Sequence, residues 1–218
     1  MTRVASVVFY AVGSRLTAEV EESCRRLGMV IVAAIRNIDG DHYLLDPAPL
    51  RELSDIDGEL LRHPFVVPLF TPAHRRKAAA EAQARGFTTA ASVVDPTAIV
   101  ASSAVLGAGS YINAGAVIGA AARFGDFAIV NRAASIGHHV EAGNFVSVGP
   151  GATVAGLVKL GDGVMLGAGA VVLPEVAIGA GSIIAAGAVV TRNVAAGGVA
   201  VGNPAAVIRQ VEAEDGGA

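Results

Sequence analysis

From Val100 to Val190 an apolar residue returns at every sixth position: Val100, Leu106, Ile112, Ile118, Phe124, Val130, Ile136, Ala142, and onward through Val154, Leu160 and Ile178. Four places beyond each stands a residue no larger than valine, as at Ala116, Ala134, Val146, Ala170 and Ala188. Glycine commonly follows the larger residue, as at Gly107, Gly119, Gly137 and Gly161. A repeat of six matches neither the turn of a helix nor the alternation of a strand, and it predicts short strands joined by tight bends. Three such units make one triangular coil of about 18 residues. Each larger aliphatic then points inward onto its equivalent one coil away, and small residues occupy the bends, where glycine and asparagine accept unusual dihedrals. About five coils follow from the length of the stretch.

The residues ahead of the repeat follow another pattern. "VASVVF" (4 to 9) reads as a buried strand, and a helix begins near Thr17 with Leu16, Val20, Cys24 and Leu27 on one face and Gly28 as its stop. "MVIVAAI" (29 to 35) and "FVVPLF" (65 to 70) are further strands; Thr71, Pro72, an alanine-rich body and Gly86 mark a second helix. The charged stretch from 36 to 63 is expected to be loop plus one short element. Strand, helix, strand, strand, helix indicates a small parallel α/β domain. The expected boundaries are 1–92 for this substrate-binding domain, 93–210 for the repeat and 211–218 for a flexible tail, with the break near Pro96.

Composition removes several classes of partner. With 218 residues, 53% of them hydrophobic, the chain can bury a sizeable core in one or two domains. A net charge of −3 leaves no electrostatic footprint for nucleic acid or an anionic membrane. The uncharged stretch from 97 to 122 is long enough to suggest a membrane span, but its interspersed Gly, Ser and Asn and the sixfold period argue against one. The N-terminal apolar run is too short and wrongly flanked for a signal peptide. The single cysteine, Cys24, excludes an internal disulfide, so the expected setting is the cytoplasm.

The repeat and the closing "VGNPAAVIR" resemble the left-handed parallel β-helix of the hexapeptide-repeat acyltransferases. With a Rossmann-like domain ahead of it, the whole chain is similar to the bacterial sugar acetyltransferases that modify nucleotide-linked amino sugars or sialic acid. "IVNRAASIGHHVEAGNFVSVGPGATVAG" is the segment in which that family carries its catalytic histidine. The resemblance implies an α/β Rossmann-like domain followed by a left-handed parallel β-helix, a homotrimer, and acetyl-CoA as cosubstrate with no metal.

His138 is the candidate base. Counting along the repeat puts it two residues past the inward Ile136, at a bend and facing outward, with Gly156 beside it one coil on. Space above an imidazole and an exposed N–H are what acyl transfer needs: a group to take the acceptor's proton and a donor for the developing oxyanion. The resemblance implies the same roles. His139 stands where the family commonly has Asp or Glu; a neutral imidazole accepts a hydrogen bond but supplies no negative charge. His139 therefore reads either as a catalytic partner of His138 or as an exposed turn residue, with Glu141 the nearest carboxylate in sequence. Ser147 replaces a further family histidine and is expected to donate its hydroxyl to the cosubstrate.

The resemblance implies a pantetheine track along the prism between neighbouring subunits, which Gly156, Ala168 and Ala186 could line, with Lys159 and Arg192 as candidate cations for its phosphates. In the first domain the family's Gly-x-Gly-Gly-His-type turn is "YAVGSRL", which keeps only Gly13. Gly13, Ser14, Arg15 and Asn37 are the candidate substrate contacts, and Arg15 or the start of the 72–85 helix could hold an anion. A zinc site with three histidine ligands is not expected, because the repeat holds only His138 and His139 while His42, His63 and His74 lie in the first domain. The predicted reaction is transfer of an acetyl group to an amine or hydroxyl of a sugar or sugar nucleotide by direct attack. The alternative is a non-catalytic trimeric scaffold or small-molecule-binding protein, suggested by the replaced residues at 10–15, 36–37 and 139.

Overall fold

The computed structural model describes residues 5–211; Val4 and the expected tail beyond 211 lie outside them. β1 (Ser6–Tyr10), β2 (Val30–Arg36), β3 (Leu50–Glu52) and β4 (Phe65–Val66) form a parallel sheet in the order β3-β2-β1-β4. Alternation along β1 sends Val7 and Phe9 toward α1 (Leu16–Arg26) and Val8 and Tyr10 toward α2 (Pro72–Ala84), so one helix covers each side. The charged stretch supplies β3 and two 3-10 turns. The strand expected over 65–70 is only two residues long, since Pro68 has no N–H for a ladder. Leu27 is 40% exposed instead of buried, because α1 ends at Arg26 and Leu27 is its cap.

β5 (Val93–Val94), β6 (Ile99–Val100) and β7 (Val105–Leu106) form the first coil, and each strand pairs in parallel with its equivalent 18 residues on. The result is a prism with three faces, called first, second and third after these strands. The first face ends in an antiparallel strand, Ala206–Gln210. From Ile112 to Val190 every inward position of the sixfold repeat is buried. A buried Ile or Leu contributes about 1.5–3 kcal/mol, so stacking along the axis is what stabilises the prism.

The glycines after the inward residues answer to space more than to dihedral. Gly137 has an ordinary φ, but a Cβ there would lie 2.6 Å from Ala155 C and Gly156 N in the next coil. Left-handed backbone falls two places further on, and often on other residues: Phe127, Ala133, His139 and Leu157 all have φ between 55° and 63°.

The α/β domain is docked on the first face. Outward Tyr111 and Ile129 pack into the core that α1 shares with β1. Below them Asp95, fully buried, accepts from Ser23 Oγ (2.7 Å), Arg26 Nη1 (2.9 Å) and Thr97 N (2.9 Å). Burial alone would raise its pKa, but the hydrogen bonds from Thr97 and Ser23 and the Arg26 charge bring it below the usual carboxylate value. On the other side Arg75 of α2 is fully buried. Its Nε donates to Phe127 O (2.8 Å), Nη1 to Leu69 O and Phe70 O, and Nη2 to Phe145 O, Val146 O and Ser147 Oγ. Burial lowers its pKa, and among the described residues five carbonyl dipoles take the place of a carboxylate.

Candidate active site

His138 sits on the edge between the second and third faces, in the bend from Ser135–Ile136 to Glu141–Ala142, and it is exposed as expected. The 18-residue repeat stacks Ala120, His138, Gly156, Pro174 and Arg192 along this edge. The imidazole lies over Gly156: a Cβ on that glycine would fall 2.6 Å from both Cε1 and Nε2. Gly156 has an ordinary φ, so occupied space and not the backbone excludes a side chain there. Its neighbours' N–H groups are engaged, Ala155 with Val172 O (3.0 Å) and Leu157 with His138 O (3.0 Å). The Gly156 N–H has no acceptor among the described residues and is free for a ligand oxygen.

His139 takes the left-handed position of the same bend, with φ 55° and its N–H donating to Ala120 O (2.9 Å). Its Nδ1 faces His138 Nδ1 at 3.1 Å, with the rings at 82°. His139 is thus an exposed turn residue whose ring is within hydrogen-bond distance of His138. Glu141 is not that partner; it projects from the third face toward Lys159 (3.6 Å).

Ser147 requires a correction. It is fully buried on the first face, where its hydroxyl donates to Phe70 O (2.6 Å) and accepts from Arg75. It joins the two parts of the chain and has no surface to offer a cosubstrate. The residues expected along the pantetheine track do not share one edge of a single chain. Residues of one edge recur every 18 positions, so Ala168 and Ala186 stack on the edge between the first and second faces, apart from Gly156. Of the two cations, Arg192 shares the His138 edge, whereas Lys159 is on the third face.

Gly13, Ser14 and Arg15 lie at the carboxyl end of β1, which has β2 on one side and β4 on the other, the switch point where parallel sheets hold ligands. Ala11, not Gly13, takes the left-handed turn (φ 68°). The N–H groups of Ala11 and Val12 both donate to Ile35 O (3.0 and 3.3 Å), so neither is left for a phosphate. Ser14 Oγ accepts from Leu16 N (3.2 Å), and the Arg15 guanidinium lies over the Tyr43 ring (5.9 Å). Asn37 is tied to Glu81 (2.9 Å) on the α2 side. Among the described residues no group of three or more His, Cys, Asp or Glu is placed to hold a metal ion, and no helix is long and apolar enough to cross a membrane. Sequence reasoning missed Arg75 and Asp95. Nothing in "HRRK" separates Arg75 from its neighbours, although Asp95 before Pro96 and Thr97 carried a turn signal.

A coil of this spacing with a histidine over a bare glycine defines a transferase of the repeat type, and comparison agrees. The family model for the bacterial transferase hexapeptide (six repeats) matches residues 157–192. PerB from Caulobacter crescentus, solved with CoA and GDP-perosamine, is 30% identical over 94% of this chain and 98% of its own, with a TM-score of 0.79. The acetyltransferase domain of PglB from Neisseria gonorrhoeae, solved with acetyl coenzyme A, is 27% identical over 94% of this chain and 100% of its own, with a TM-score of 0.83. WeeI from Acinetobacter baumannii shares the fold at 20% identity over 94% of this chain and 100% of its own, with a TM-score of 0.67. No curated sequence matches the chain. The chain belongs to the hexapeptide-repeat acyltransferases, in the sugar acetyltransferase branch, and its prism is the left-handed parallel β-helix of that family.

Proposed function

We propose that the protein transfers an acetyl group from acetyl-CoA to the amine of a nucleotide-linked amino sugar. The observation that carries this reading is the His138 Nε2 edge lying over Gly156, whose N–H is free. His138 Nε2 takes the proton that the attacking nitrogen sheds, and the Gly156 N–H donates to the carbonyl oxygen as it gains negative charge; the C–S bond then breaks and the CoA sulfur takes the proton back from His138 Nε2. An amine suits this site better than a hydroxyl. It attacks with its own lone pair and asks the base only for an ammonium proton, which a histidine backed by neutral His139 can take. The relatives solved with CoA and GDP-perosamine, and with acetyl coenzyme A, support the same cosubstrate and acceptor class.

His138 stands on the edge opposite the first face, whereas Gly13, Ser14 and Arg15 belong to the domain docked on that face. One chain cannot bring both to one substrate. This supports a homotrimer in which a neighbour's α/β domain closes the His138 edge. Exposed Ile99 and Val117 on the second face, and Leu157 beside Gly156, supply apolar surface for such a contact. Gly156 and the Ala168–Ala186 edge would then share one cosubstrate only across the interface between chains. A cytoplasmic setting, where Cys24 stays reduced, goes with this reading.

Thiol release from acetyl-CoA with a panel of amino-sugar nucleotides, GDP-perosamine among them, tests the proposal against His138→Ala. The expected result is release with at least one acceptor that the variant loses. No His138-dependent release with any acceptor, together with no thermal shift from acetyl-CoA, would leave a non-catalytic scaffold as the function.

A further inference from the structure

We propose that His139 is a positioning residue acting through His138, and that the two rings form a proton relay between the reacting centre and solvent. The inference rests on the acetyl-transfer reading. The two Nδ1 atoms face each other at 3.1 Å, so a neutral pair holds a single proton between them. Only one arrangement leaves His138 a base at Nε2: its Nδ1–H donates, His139 Nδ1 accepts, and the Nε2 lone pair is free over Gly156. His139 then carries its own proton on Nε2 of an exposed ring.

As the acceptor nitrogen bonds to the thioester carbon, its proton goes to His138 Nε2. The proton between the rings passes to His139 Nδ1, and His139 Nε2 gives its proton to water. When the C–S bond breaks, sulfur takes the proton from His138 Nε2, the shared proton returns to His138 Nδ1, and His139 Nε2 regains one from water. Amine and thioester become amide and thiol with no net proton change. The proton leaves through the solvated ring to water and neither imidazole has to stay charged, so the site works without a carboxylate behind its base.

The surroundings leave the pair to itself. Ala120 and Ala121 flank it in the preceding coil and Gly156 and Leu157 in the following one; Ser135 and Thr153 on the second face are neutral. Arg123, Glu141 and Lys159 project from the third face, the last two paired with each other, and Glu175 is two coils along the His139 column. Neither ring joins an ion pair among the described residues.

Positive φ at 139 means that His139→Gly keeps the bend, while His139→Glu restores a carboxylate. Two-bond 1H–15N spectra of the ligand-free protein read the His138 tautomer and titration directly. The expected result is a proton on Nδ1 in the wild type, an Nε2–H population in His139→Gly, and a titration roughly one pH unit higher in His139→Glu. In thiol release, His139→Gly should lose about tenfold in kcat and recover with added imidazole. Identical His138 titration in all three proteins overturns the relay, as does a His139→Gly loss that imidazole fails to recover. The expected spectra with no acceptor acetylated would uphold the pairing and overturn acetyl transfer.

Discussion

At the residue scale the chemistry depends on what one glycine leaves out. Gly156→Ala keeps an allowed backbone, but its methyl would enter the space of Cε1 and Nε2 and push the His138 ring aside. Thiol release should fall about 10²-fold or more, as when a positioned base is lost, with a thermal midpoint close to wild type. Conversely His138→Ala removes an exposed ring and should lose a similar factor in kcat with circular dichroism unchanged. His138, Gly156 and their stacking could be read by counting in sixes. Ser147 could not, because its burial comes from an α2 arginine more than seventy residues earlier in the chain.

At the element scale each coil is a local rule repeated, and each docking contact is not. Ile136→Ala opens a cavity between the inward Ile118 and Val154, its neighbours in the coils on either side, and should cost about 2–5 kcal/mol in urea unfolding. Arg75→Met removes the donor to Phe127 O, Leu69 O and Phe145 O, which have no other among the described residues, and one of two donors to Phe70 O and Val146 O, and it takes the Arg75 hydrogen bond from the Ser147 hydroxyl, a loss of roughly 3 kcal/mol or more. Because those carbonyls belong to two consecutive bends, to the Val146 position and to the loop before α2, the loss should loosen α/β domain and prism together. A shared midpoint shift by near-ultraviolet and far-ultraviolet probes would check this. The helix face Leu16, Val20 and Cys24 was legible as apolar periodicity, but its partner surface at Tyr111 and Ile129 was not.

At the scale of the whole molecule two predictions concern how the parts are joined. Asp95 has its folded pKa depressed, so its contribution is present above the ordinary carboxylate value of about 4 and is lost as pH falls below it through the depressed value. Urea midpoints should drop over that window in the wild type and much less in Asp95→Asn. For the assembly, a sedimentation mass of three times the 21.8 kDa chain is expected. Mixing and refolding His138→Ala with Arg15→Ala should regain activity that neither variant has alone, since some mixed interfaces would pair an intact α/β domain with an intact His138 edge.

Periodicity alone was enough for the prism, because each six-residue unit obeys the same steric rule whatever its neighbours, and the outward bend of His138 and its glycine follow from that arithmetic. The pairing of His138 with His139, the burial of Ser147, the separation of Ala168 from Gly156, and the placement of the α/β domain opposite the base were decided only in three dimensions. Each depends on side chains brought together by stacking and docking, and such meetings leave no local pattern along the chain.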